Sequence, residues 1–322
     1  MGSEEKIGHA RGHGHGHERG REEENSRPSF FRARARVRAR SFLFLFFLLL
    51  CNVMSAVDRS SSAPFVSGDT FRAFCDHVYD ETGNFRPQLI KSHETIFVKG
   101  DYLHPFFKRM HPLIKNPYIL VTHNSDDSAP GIYKHYLDGD KIVAWFAQNP
   151  DSTHPKLYPI PMGLANRYWP HGNVDAMQKM LGLNSAKKHL AYLNITVKTY
   201  TSERSLVYNL FEKKPFCYSP GPKNYEDYLK DLAESKFVFS PRGNALDTHR
   251  LWEALYLGAY PIVKSSSLDP LYHDLPIVIV HDWNEVTEEF LHQKQLEFSM
   301  LTFFHEKLHA DYWFNLINEH KI

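Results

Sequence analysis

Residues 236–274 read KFVFSPRGNALDTHRLWEALYLGAYPIVKSSSLDPLYHD, and the rest of the chain is organised around them. Phe237-Val238-Phe239 is a short apolar run that stops at the breaker pair Ser240-Pro241, the pattern of a buried strand. From Asp247 the apolar spacing becomes helical, with Leu251, Ala254, Leu255 and Leu257 falling on one face. Gly258 closes that helix as a C-cap, and Tyr260-Pro261-Ile262-Val263 resumes a strand. The unit is βαβ, and such units form ligand crevices at the carboxyl ends of their strands.

The loop and helix start carry an unusual set of polar groups. Arg242 lies in the loop, Arg250 about one turn into the helix, and Glu253 three residues beyond it. A guanidinium makes paired hydrogen bonds to phosphate, and a helix N-terminus adds unpaired N–H donors and a positive dipole end. A carboxylate beyond the phosphates can accept from ribose hydroxyls. The set suits a nucleoside diphosphate. The same spacing also allows Arg250 and Glu253 to pair with each other on a solvated face, with Asn244 or Asp247 merely capping the helix. Asp247 at a helix start disfavours an anion there unless the cap uses it up.

The run FSPRGNALDTHRLWEALYLGAYPIV, continued by LDPLY, DLPIVIV and DW, resembles the carboxy-terminal signature of exostosin-like glycosyltransferases over about residues 235–290. That resemblance implies a GT-B architecture and a nucleotide-sugar donor, a UDP-sugar, with no cofactor beyond it. It implies a donor site at Arg242, Gly243, Asn244, His249, Arg250 and Glu253. The sequence departs from the family pattern at Ala259-Tyr260, where a packing change is expected. It departs again at Asp247-Thr248-His249, where the phosphate contacts are affected.

The chain has 322 residues, 42% of them hydrophobic, enough for one large or two ordinary domains. Its net charge of +1 hides an asymmetry. Residues 1–40 are a His/Gly/Glu/Arg-rich tract followed by a basic run from Arg32 to Arg40, expected to be a disordered tail. His13, His15 and His17 in that tail have metal-binding chemistry but read first as solvated. Residues 41–57 are uncharged, at the short limit for a membrane span, with arginines on one flank. The expectation is a type II signal-anchor in the Golgi or ER membrane with the body in the lumen; the competing reading is a cleaved signal peptide and secretion. The remainder is nearly neutral, so no nucleic-acid partner is expected. Cys75 and Cys217 are either a disulfide across the globular part or two free thiols, and Asn194-Ile195-Thr196 is an N-glycosylation sequon.

After a Ser-rich stem at 58–69, a helix is expected over Phe71–Tyr79. Strands follow at Thr95–Val98, Tyr118–Thr122, Ile142–Phe146 and Lys156–Pro161, with helices at Tyr102–Ile114, Gly131–Leu137 and Val174–Leu181. A second cycle has a strand at His189–Leu193, helices at Glu203–Phe211 and Tyr225–Ala233, and the βαβ unit. It continues with a strand at Ile277–Val280, a helix at Glu285–His292 and a final helix over about Gln295–Asn318. The fold class is α/β, GT-B-like: two Rossmann-like domains with mostly parallel sheets facing a cleft, the acceptor domain at 70–185 and the donor domain at 186–322.

Polar groups at the carboxyl end of a parallel strand face the crevice, which makes His123 and Asp126 the candidate catalytic bases; the plain alternative is an Asx-type turn. Gln148, Asn149, Asn166, Trp169 and His171 carry hydrogen-bonding and aromatic groups suited to sugars. Asp138-Gly139-Asp140 has the D-x-D form of metal-dependent transferases but reads as a turn at the amino end of a strand, so no metal is expected. The sequence thus points to transfer of a sugar from a nucleoside diphosphate to a glycan or glycoprotein hydroxyl. The alternatives are a catalytically silent binding relative, a metal-dependent transferase using Asp138 and Asp140, and a structural protein on the same fold.

Overall fold

A computed structural model describes residues 57–183 and 185–321. The expected tail, the apolar run up to Ala56 and Cys51 lie outside the described residues. Among those described, no helix is long and apolar enough to cross a membrane.

Two five-stranded parallel sheets form the frame. The first holds β1 (His77–Tyr79), β2 (Thr95–Lys99), β3 (Tyr118–His123), β4 (Ile142–Gln148) and β5 (Leu157–Ile160), side by side in chain order. Its residues alternate between two apolar layers, with one irregularity at Val143-Ala144 of β4. Ile96, Val98, Leu120, Trp145 and Ala147 face the helical segments over 100–113 and 131–138, while Phe97, Ile119, Val121, Ala144 and Phe146 face the other way. Strands added in sequential order by right-handed crossovers put those crossovers on one face only. The opposite face must be covered from elsewhere in the chain.

The second sheet holds β6 (His189–Tyr192), β7 (Cys217–Tyr218), β8 (Ser235–Phe239), β9 (Tyr260–Lys264) and β10 (Val278–Val280), in the spatial order β10-β9-β8-β6-β7. β6 thus lies between β7 and β8, a topological switch point. The principal helices are α1 (Gly68–Phe74), α2 (Val174–Leu181), α3 (Thr201–Phe211), α4 (Tyr225–Ala233), α5 (His249–Tyr256), α6 (Asp269–Tyr272), α7 (Glu288–Ser299) and α8 (Ala310–Asn318). The βαβ unit forms as its sequence predicts, β8-α5-β9, with Gly258 at φ +66° closing the helix.

Helices cross between the halves. α2, on the amino side of the expected boundary, packs through Val174, Met177 and Met180 against Leu229 and Leu232 of α4 on the second sheet. α8 returns to the first sheet: Trp313 and Ile317 join Phe97, Ile119 and Val121, and Phe314 stacks on Phe74 at 4.1 Å. α8 and the face of α5 bearing Leu251, Trp252 and Leu255 cover what the sequential crossovers leave bare. The two halves therefore share a core.

Two local expectations change. The helix expected over 71–79 ends at Phe74 because Asp76 is drawn to β2: its carboxylate accepts from Thr95 N–H at 2.9 Å and Thr95 O–H at 2.7 Å, and the chain runs on as β1. The helix expected over 295–318 is interrupted at 300–309, where Met300, Leu301 and Phe304 are exposed and His305–Leu308 is a 3-10 turn, and separates into α7 and α8. Cys75 and Cys217 are free thiols in different clusters, Cys75 beside the first sheet and Cys217 on β7.

Candidate active site

The carboxyl ends of both sheets face one cleft, which holds adjoining cavities of about 880 and about 380 Å³ sharing Asp126, Met162 and His249. The larger opens beside the β6/β8 switch point. Thr196 and Thr199 follow β6 in its wall, Gly243 and Asn244 follow β8, and the first turn of α5 closes it.

The start of α5 is uncapped. Thr248 occupies the cap position with an extended backbone, but its side chain makes no capping bond and its Oγ1 is buried without a partner. Asp247 does not cap the helix either. Its Oδ2 accepts from Met162 N–H at 2.8 Å and Trp252 Nε1–H at 2.7 Å, and its Oδ1 from Thr248 N–H at 2.8 Å and Tyr272 O–H at 3.4 Å. Burial lifts this carboxyl to about 6 against the pull of those donors. The anion-disfavouring residue of the sequence is thus enclosed as a tie between Met162 and α5.

Arg250 borders the larger cavity and makes no hydrogen bond or ion pair with any described residue; its Nε is buried without a partner. Glu253 is buried, and its carboxylate accepts from Tyr228 O–H at 2.8 Å and Tyr225 O–H at 3.1 Å. Burial raises its pKa, while Tyr228, the Arg250 charge and Tyr225 pull it down. The solvated Arg250–Glu253 pair that the spacing allows does not form: no ion pair joins them, and Glu253 is inside.

The expected donor-site arginine at 242 points elsewhere. Its guanidinium donates to Asn244 O at 2.9 Å and stacks over Tyr200 at 4.4 Å, in a separate pocket behind the loop. Arg204 of α3 takes the place at the cavity wall. It is buried, and donates through Nε to Arg242 O at 2.8 Å, Nη1 to Thr196 O at 3.1 Å and Nη2 to Pro241 O at 3.5 Å. Burial, and then the Arg250 charge, lower its pKa to about 10. A Cβ at Gly243 would sit 3.2 Å from Arg204 Nη2, so the glycine leaves room for this guanidinium. Arg204 escaped the sequence reading, although it shares a helical stripe with the buried Val207 and Phe211. A charge on an apolar stripe was the available signal. Lys223 adds a third cation to this wall, paired with Asp231 at 2.6 Å.

His123 lies at the end of β3, buried, with both nitrogens engaged. Nε2–H donates to Pro161 O at 3.0 Å and Nδ1 accepts from Asn124 N–H at 2.7 Å. Burial lowers its pKa to about 4. His249 differs. Gly163 O lies 2.8 Å from Nδ1 and can only accept, so Nδ1 carries the proton and Nε2 is left at the boundary of the two cavities without a partner among the described residues. Burial holds His249 neutral too, at about 4. Asp126 stands on the same boundary, exposed, and accepts from Asn244 Nδ2–H at 3.0 Å across the cleft. The smaller cavity brings together Gln148, Asn166 and Trp169 from the sugar-suited set; Asn149 instead holds Asp247 N–H at 3.0 Å, and His171 borders the larger cavity.

Asp138 and Asp140 line neither cavity and precede β4 at its amino end. No group of three or more His, Cys, Asp or Glu among the described residues is spaced to hold a metal ion. Asn194 donates its amide to Tyr192 Oη at 2.9 Å and Gly221 O at 3.0 Å, which ties the sequon side chain into the fold.

No family model matches the chain, and no curated protein matches it. The resemblance to exostosin-like glycosyltransferases therefore stands on the quoted motif alone. Among solved structures, a chain described as "Crystal structure of GtfA/B complex" is similar at 9% identity with a TM-score of 0.34. The similarity covers 72% of this chain and spans 58% of the length of that one, too slight a likeness to say what the cleft binds.

Proposed function

We propose that this protein is a glycosyltransferase that moves a sugar from a nucleoside diphosphate, a UDP-sugar, to a glycan or glycoprotein hydroxyl. One observation carries the reading: an uncapped helix start and the unpaired Arg250, beside the buried Arg204, line a cavity of about 880 Å³. Arg204 is buried and Arg250 half-buried, neither in an ion pair with any described residue, and a cation withdrawn from water without a counter-ion is costly unless an anionic ligand supplies one. A nucleotide sugar fits a cavity of this size.

In this reading Arg250, Arg204 and the first-turn N–H groups of α5 hold the diphosphate and neutralise it as the glycosidic bond breaks. Glu253, oriented by two tyrosines, accepts from the ribose. Gly243 and Asn244 line the same wall, and Arg242 shapes their loop through its own backbone and Tyr200. Asp126, at the meeting of the two cavities, takes the acceptor proton. His123, with both nitrogens engaged, positions the loop that carries Asp126. No step requires a metal ion. An amino-terminal anchor holding the body in the Golgi or ER lumen fits such a role.

The test is turnover by the full chain. UDP- and GDP-sugars are offered with mixed glycan acceptors, with and without EDTA, and release of the free nucleotide is followed. Release that persists in EDTA and is lost in Arg250→Ala is expected. Nucleotide binding without turnover would identify a silent relative, and a folded protein that binds no nucleotide would refute the proposal.

A further inference from the structure

The smaller cavity differs in chemistry from the larger. On its wall Tyr168 and Trp169 stand with ring centroids 5.0 Å apart, 37% and 48% exposed. The turn that presents them is rigid: Trp169 N–H donates to Asn166 O at 3.0 Å and Gly172 N–H to Trp169 O at 2.8 Å. A Cβ at Gly172 would meet Asn166 O at 2.0 Å, so the glycine is needed for this closure.

Beneath them lies a floor of amides. Asn166 Nδ2–H donates to Asn124 Oδ1 at 2.8 Å, Asn124 Nδ2–H to Asp69 Oδ1 at 3.1 Å, and Asp69 N–H to Asn166 Oδ1 at 2.8 Å. Gln148, only 4% exposed, accepts Asn124 N–H through Oε1 at 3.1 Å. Its Nε2 donates to no described residue, although the side chain lines the cavity. That donor opens onto the cavity, where it is available to an acceptor from a ligand.

The rim is acidic. Asp101, Asp126 and Asp127 face one cation, Lys99, which lies 3.4 Å from Asp101 and 3.5 Å from Glu81. His123 and His249 are both neutral here.

We infer that this cavity is a subsite for an uncharged carbohydrate ring, and that it discriminates against uronate-bearing or sulfated glycans. The apolar face of a pyranose covers Trp169, Gln148 donates to a sugar oxygen, and the carboxylates accept sugar hydroxyls. An anionic sugar would bring like charge to the rim. That this sugar is the transfer acceptor rests on the proposed transferase reading; the carbohydrate site itself does not.

The full chain is applied to an array of neutral and uronate-containing glycans of matched length, and the best neutral binder is then titrated by calorimetry beside UDP. Selective retention of neutral glycans is expected, weakened roughly five- to tenfold in Trp169→Ala by loss of the stacked ring. Trp169 is half exposed, so that variant should melt as the native chain does. The double variant Asp101→Asn, Asp127→Asn should gain affinity for uronates. Preference for uronates in the native chain, or neutral-glycan affinity unchanged in Trp169→Ala, overturns the inference. UDP binding with no neutral glycan bound ends this inference and leaves the donor site standing; the reverse result keeps the carbohydrate site and ends the transferase reading.

Discussion

Replacing Arg250 by alanine should separate binding from folding. Its guanidinium has no hydrogen bond or ion pair among the described residues, its Nε is buried unpaired, and its charge bears on Arg204. Truncation therefore orphans no partner and relieves one repulsion, which should leave the melting temperature of the unliganded chain within about 2 °C. One opposing effect is present, since Arg250 helps hold the Glu253 carboxyl down, and without it that pKa rises further. A charge-assisted hydrogen bond contributes about 1.5–3 kcal/mol, so UDP affinity should fall roughly 10- to 150-fold. Calorimetry with UDP and thermal melting on the same full-chain samples read both quantities. A melting temperature lowered by about 5 °C or more, with UDP affinity unchanged, would make Arg250 a structural residue and refute the reasoning.

Arg204→Ala should behave oppositely in folding, because it removes the donors of three backbone carbonyl groups, one bond buried and two part-buried, along with a buried side chain; a loss of about 2–4 kcal/mol in denaturant unfolding is expected, together with weaker UDP binding. Gly68→Ala would place a Cβ 1.7 Å from Asn124 Oδ1 and should abolish carbohydrate binding at the smaller cavity while sparing nucleotide binding, as parallel titrations would read. Stability should fall on acidification through His123 and His249: with folded pKa values near 4 and unfolded values of 6.5, their contribution is intact above 6.5 and lost as pH drops toward 4. Asp247, raised from 3.8 to about 6, acts with opposite sign, its contribution present below 3.8 and lost as pH rises through 6, so Asp247→Asn should steepen acid destabilisation in melts between pH 4 and 7.

The β8-α5-β9 unit was legible because each of its signals is local: an apolar triplet, a change of period, and a glycine in the left-handed region. Gly243, Asn244, His249, Arg250 and Glu253 line the cleft for the same reason, since their places follow from one loop and one helix. Arg242 and Arg204 show where local reading ends. The loop backbone decides which way Arg242 turns, and that backbone is held by Arg204, 38 residues earlier. The continuous pattern expected over 295–318 likewise hid a break, because what ends α7 and redirects α8 is the bare face of the first sheet. The crossover rule on sequential strands predicts that bare face, but only once the strand order is known. β1 was lost for a similar reason: the residue that ends α1 is Asp76, and its partner Thr95 is on another strand.

The shared core has a direct bearing on how the cleft works. Across it, Met162 N–H reaches Asp247, Asp247 N–H reaches Asn149 and His249 Nδ1–H reaches Gly163 O, all at 2.8–3.0 Å. These ties are buried or half-buried and fix the start of α5 against the end of β5 before any ligand arrives. The Asn244–Asp126 contact is the exposed one, 3.0 Å long, between two side chains at the meeting of the cavities. Exposed hydrogen bonds between side chains contribute little to stability, so this contact is the one a ligand can most readily displace. The cations gather in the same geometry: Arg204, Lys223 and Arg250 line the larger cavity, where Asp247 and Glu253 are buried and held by hydrogen bonds, while the exposed Asp101 and Asp127 line the smaller with Lys99, and Asp126 is shared. A diphosphate finds the unpaired Arg250 and the uncapped start of α5 on one side and exposed carboxylates on the other. In the proposed reaction that difference orients the donor, directing its phosphates toward α5 and its sugar toward Asp126 and His249.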